Sequence, residues 1–152
     1  MANDKPWRVR LSGPDVWSGP EMAARTDWVH RVDESEKREV YDAVAAFRAS
    51  GVEWLDMTRA QFPIPRLARK LAVMCEQLEN GGGMVALRGL EPSVLGQEGM
   101  RIAFWGVGLH MGTAVSQSQF GELLGEVRDY GEVMGKATSR GYATGTTGIY
   151  DN

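Results

Sequence analysis

Glycine is distributed very unevenly along this chain. Of its 19 glycines, three precede residue 80 (Gly13, Gly19 and Gly51) and all the others lie from Gly81 onward. A glycine inside a helix costs about 1 kcal/mol relative to alanine. Long helices therefore belong to the first half, and the second half reads as short elements joined by turns. No fixed-period repeat and no Pro-, Ser- or Gly-rich linker interrupts the 152 residues. They read as a single domain of the α+β class, long enough to bury roughly 70% of the surface exposed by the unfolded chain.

Local signals place the elements. Gly13-Pro14 and Gly19-Pro20 are turn signals, and with Trp7, Trp17 and Trp28 between or beside them the first 27 residues read as an irregular arm anchored by aromatics. Alternation over residues 28–32 predicts a short strand. Asp33, with Glu36 three residues on, predicts a capped helix start. Val40, Val44 and Phe47 continue the helix at helical spacing until Gly51 stops it. Phe62-Pro63-Ile64-Pro65 breaks the chain, and Pro65 suits the first turn of a second helix. Its apolar stripe would be Leu67, Leu71, Met74, Cys75 and Leu78, ending at Asn80-Gly81. Met84-Val85-Ala86-Leu87, bounded by glycines, predicts a buried strand. Ile102, Trp105 and Leu109 predict a helix from Glu98 to about Met111, in which Gly106 and Gly108 are tolerated if another backbone packs close. Residues 123–129 read as a further strand, with Leu123, Gly125 and Val127 on one face.

Composition excludes several functions. Seventeen basic against twenty acidic residues give a net charge of -3, which offers no electrostatic footprint for nucleic acid. The polar start, MANDKPWRVR, lacks the apolar run of a signal peptide, and no window approaches the length of a transmembrane helix. The expected location is cytoplasmic. One cysteine, Cys75, permits no intrachain disulfide and no multi-cysteine metal site. There are only two histidines, and His30-Arg31-Val32 and His110-Met111-Gly112 both lack the carboxylate of an H-x-D/E pair.

The candidate sites have simple structural readings. Gly81-Gly82-Gly83 precedes a strand, the reverse of a phosphate loop, and reads as a helix cap and turn. The third glycine after Gly106 and Gly108 is one residue late for a dinucleotide fingerprint, so a nucleotide-binding module is disfavoured. Cys75 on an apolar stripe reads as a buried, inert thiol. His110 reads as structural or pocket-lining, and His30 as a surface or hydrogen-bonded side chain. Asp33/Glu34 and Glu36/Glu39 read as acidic residues near a helix start. Residues 115–119, Val-Ser-Gln-Ser-Gln, have the amides and hydroxyls to line a polar pocket. They serve equally well as a surface turn.

Taken in order, several segments resemble the TauD/TfdA-like dioxygenases. They are residues 84–90 (MVALRGL), 103–112 (AFWGVGLHMG), 115–117 (VSQ) and 123–129 (LLGEVRD), then Ser139-Arg-Gly-Tyr142 and Thr144. Gly13-Pro14, Trp17, Trp28 and Phe62-Pro63-Ile64-Pro65 are similar to the helical N-terminal region of one branch. The resemblance implies a helical N-terminal half followed by the first strands of a double-stranded β-helix, a jelly-roll-like fold left incomplete. It implies an oxidoreductase that uses Fe(II) and 2-oxoglutarate on a small organic substrate. Gln117, Tyr142 and Thr144 would then be substrate-pocket residues.

The family holds iron with an H-x-D/E pair and a distal histidine. Where its first histidine is expected, this chain has Tyr150 and Asp151. The expectation is therefore the N-terminal portion of such an enzyme, ending before the metal motif, with catalytic and metal residues none and neither cofactor bound tightly by this chain. Absent strands would leave sheet edges exposed. The alternative is a non-catalytic interaction or scaffold fragment using its five tryptophans as anchors. The oligomeric state and the substrate are left open.

Overall fold

The computed structural model describes residues 10–116 and 121–125. The chain divides into two units, Met1–Thr113 and Ala114–Asn152. The described elements all fall in the first: α1 (Gly19–Ala23), β1 (Val29–Arg31), α2 (Glu34–Ser50), two 3-10 turns (Trp54–Asp56 and Arg59–Gln61), α3 (Pro65–Asn80), β2 (Ala86–Arg88) and α4 (Pro92–Met111). The α+β class holds.

The start of α2 forms as its residues dictate. Asp33 accepts the backbone N–H groups of Ser35 and Glu36 at 2.8 and 2.9 Å, and Glu36 accepts the Asp33 N–H at 2.8 Å. Two donors that an α-helix leaves orphaned are thereby satisfied, with the Asp33 N–H besides. At the other end Gly51 takes the left-handed conformation (φ 68°) and closes the helix. The Ser35 hydroxyl first, and then the Glu36 N–H, hold the Asp33 carboxyl below its usual range. A depressed folded-state value stabilises above the ordinary aspartate range, and that contribution is lost as pH falls through the depressed value. Asparagine also caps well but does not titrate. The difference in melting temperature between wild type and Asp33→Asn should therefore shrink once pH drops below about 4; a constant difference across thermal melts at several pH values would overturn this account.

α3 has Pro65 at its first position and no capping side chain of its own. Glu39 of α2 supplies the cap, its carboxylate accepting the N–H of Arg66 at 3.0 Å and of Leu67 at 3.2 Å. This long-range cap sets α2 against α3. Between the helices lie Val40, Val44, Phe62, Ile64, Leu67 and Leu71, each at most 2% exposed.

α4 starts earlier than expected. Its first turn runs from Pro92, and the chain breaks helical geometry at Gly96 (φ 66°, ψ 177°) before continuing. Only glycine reaches that backbone conformation without strain. Arg48 donates to the Leu95 carbonyl beside the break at 3.1 Å. Below it, Leu95, Gly99, Ile102, Ala103, Trp105 and Gly106 face the core. Trp105 meets Trp54 edge to face at 5.2 Å between centroids, and Arg101 lies 6.0 Å from the Trp54 ring centre.

β1 and β2 pair in parallel, with Val29 opposite Ala86, His30 opposite Leu87 and Arg31 opposite Arg88. Parallel strands need a long crossover, and here α2, the two 3-10 turns and α3 provide it.

Several expectations are corrected. β2 lies two residues later than expected and is half-buried, because this two-stranded ribbon is covered only partially. Cys75 is half-buried and Leu78 exposed, so the buried face of α3 is narrower than its apolar stripe. The N-terminal arm is anchored by buried Met22 and by the Trp17 indole N–H donating to the Gly82 carbonyl at 3.0 Å, with the Trp17 ring itself exposed. What packs on Gly106 is the ring of Phe62 rather than a backbone, and Gly108 has open space beside it. The expected strand over 123–129 is not formed in its described part, where Leu123 and Leu124 make a bend after Gly121 (φ 77°); its remainder lies outside the described residues.

Candidate functional site

The pocket residues expected from the sequence, Gln117, Tyr142 and Thr144, all lie outside the described residues. Within the first unit, charged side chains converge in an open groove of about 420 Å³ where α3 passes the start of α2. Asp33 and Glu36 come from α2 and its cap, Arg66, Arg69 and Lys70 from α3. Spacing puts them there, because residues 66, 69 and 70 share one side of α3.

The groove's acids are committed. Glu36 is 5% exposed, and its carboxylate accepts both the Asp33 N–H and the Lys70 ammonium. Lys70 also donates to the Arg31 carbonyl of β1 at 2.6 Å. A buried charge is tolerated only when paired and hydrogen-bonded. This cluster meets that condition and ties β1, α2 and α3 together. On the outer side of α2, Glu34 and then Glu91 hold the Lys37 ammonium well above its usual range. The carboxylates act as caps and ion-pair partners, which is the structural role expected for Asp33/Glu34 and Glu36/Glu39.

The two histidines occupy separate places. His30 on β1 places Nε2 2.6 Å from Oε1 of Gln77 on α3. His110, in the last turn of α4, uses both ring nitrogens: Nε2 lies 2.8 Å from the Phe62 carbonyl, and Nδ1 accepts the Arg59 Nε–H at 3.1 Å. A carbonyl only accepts and a guanidinium only donates, so the ring is neutral with its proton on Nε2. The Cys75 thiol lies 3.7 Å from the Met111 carbonyl. Among the described residues no group of three or more His, Cys, Asp or Glu side chains comes together to hold a metal.

Sequence reasoning missed Arg59, Gln77 and Glu39 as partners. Each acts on a residue 27 to 51 positions away, and no local periodicity signals such a pairing. Among the described residues no helix is long and apolar enough to cross a membrane.

The sequence has relatives among known proteins. The chain is 32% identical over 135 residues to FR-33289 synthase of Streptomyces rubellomurinus, a match covering 88% of this chain and 40% of that protein. It is 26% identical over 132 residues to taurine hydroxylase-like protein SAT17 of Stachybotrys chartarum, covering 84% of this chain and 34% of that one. The chain thus spans well under half the length of both relatives. No family model matches it.

Proposed function

We propose that this chain is the helical N-terminal portion of a TauD/TfdA-like oxygenase, an oxidoreductase acting on a small organic substrate. The observation that carries the reading is the 32% identity to FR-33289 synthase, which extends over 135 residues, 88% of this chain, and so takes in the helical framework. The similarity to a taurine hydroxylase-like protein points the same way.

The helices suit a supporting role. α4 carries a second apolar face: away from its buried side, Met100, Phe104, Val107 and Met111 recur at helical spacing, and Phe104 is 65% exposed. A face of that kind suits packing against further polypeptide. In the complete enzyme the first strands of a double-stranded β-helix follow, and Gln117, Tyr142 and Thr144 line the substrate pocket. Fe(II) and 2-oxoglutarate are the cofactors the family implies. The described residues do not fit an iron site, since no three His, Cys, Asp or Glu side chains come together among them and His110 has no free lone pair, and none of them enters a reaction step. The 152 residues alone are inactive on this reading, and a cytoplasmic location fits their composition.

The test is a chimaera in which this chain replaces the segment of FR-33289 synthase that it matches. It should retain 2-oxoglutarate turnover, read as succinate release, and Gln117→Ala within it should raise KM for the organic substrate about tenfold, the scale of one lost polar contact. The isolated chain supplied with Fe(II) should release none. A folded chimaera without turnover would remove the reading, and succinate from the isolated chain would remove the claim of inactivity.

A further inference from the structure

A two-histidine, one-carboxylate iron site needs a lone pair from each of two imidazoles, and this sequence contains two histidines in all. Each ring must therefore be free to turn a bare nitrogen toward one cation. The geometry forbids this at His110. Its Nε2 carries the proton given to the Phe62 carbonyl, and its lone pair on Nδ1 is taken by the Arg59 Nε–H. A metal ion at Nδ1 would have to displace the guanidinium and would then sit beside a positive charge. At His30 Nε2 is taken by Gln77, and the remaining ring nitrogen cannot make a two-histidine site by itself once His110 is spent.

We infer that His30 and His110 are clasps that hold the fold without metal, and that any two-histidine iron centre in a protein containing this chain takes at least one imidazole from other polypeptide. His30 joins β1 to α3. His110 joins the end of α4 to the second 3-10 turn and to the fully buried Phe62. The part concerning iron rests on the oxygenase reading; the clasp roles rest on the hydrogen bonds alone.

The experiment uses the whole chain labelled with ¹⁵N-histidine, with His110→Gln to assign the two rings. At neutral pH the nitrogen shifts of His110 should report the neutral ring protonated on Nε2. Arg59→Gln should move the Nδ1 signal, and one equivalent of Fe(II) or Co(II) added anaerobically should broaden neither ring selectively. His110→Gln should lower the melting temperature by several degrees and leave the metal isotherm unchanged. Stoichiometric metal that broadens both imidazole signals, and is lost in His110→Gln, would overturn the inference. So would a His110 ring protonated on Nδ1. If His110→Gln does not fold, the Arg59→Gln response and the metal titration of wild type still decide. A chimaera without turnover whose His110 signals behave as described would remove the oxygenase reading and leave the clasps standing.

Discussion

Replacing Gly106 by alanine should destabilise the protein by about 2 kcal/mol, whereas the same replacement at Gly108 should stabilise it by about 0.5–1 kcal/mol. The two residues stand two positions apart in α4, and alanine is the better helix former at both. The difference lies in what a new methyl group meets. At Gly106 a Cβ would fall within the van der Waals envelope of the Phe62 ring, while at Gly108 it meets nothing within 4 Å. Phe62 is poorly able to move aside. Its side chain is completely buried, its carbonyl is bonded to His110, and Pro63 follows it. Overpacking at such a contact typically costs 1–3 kcal/mol, more than the propensity gain returns. Urea unfolding of both variants checks the pair, and equal effects at the two positions would overturn the packing account.

Lys70→Met should cost about 3 kcal/mol, because it strips the partner from a carboxylate that has no other cation against it and little access to water. Glu36 would keep only the Asp33 N–H, and the Arg31 carbonyl would lose its donor as well. The double variant Lys70→Met/Glu36→Gln should recover more than half of that loss. Glutamine still accepts the Asp33 N–H and leaves no uncompensated charge. Unfolding free energies at pH 7 for the two single variants and the double variant form a cycle that isolates the pair. A loss below about 1 kcal/mol for Lys70→Met would show that the groove is wetter than its geometry implies.

These two contacts mark the limit of what could be read from the chain in advance. The start and stop of α2 were legible because Asp33, Glu36 and Gly51 act on backbone within a few residues of themselves. Pro65 opening α3, and the strand near residue 30, were legible for the same reason. β2 begins two residues later than local patterning predicts, because which apolar residues of 84–88 pair depends on β1, more than fifty positions away. The break at Gly96 hid the first turn of α4. Apolar spacing alone cannot tell a helix that starts at Glu98 from two helical pieces that meet at a glycine.

The candidate site was legible in kind and not in partnership. The structural role of the acids near the start of α2 follows from their place at a helix start, yet nothing local announces that Glu39 caps another helix or that Lys70 reaches Glu36. The roles of His30 and His110 as bonded, structural side chains were among the readings their surroundings allowed, while Gln77 and Arg59 as their partners were not foreseeable.

By itself the order of residues determined the helical first half, the caps and breaks, a net charge of -3, and a supply of two imidazoles, because propensity, capping and composition act locally or by count. The tertiary structure decided which carboxylate meets which ammonium, which glycine must remain bare, and that the His110 lone pair is already spent. Those outcomes depend on residues far apart in the chain arriving within a few ångströms, and only the packing of α2, α3 and α4 brings them there.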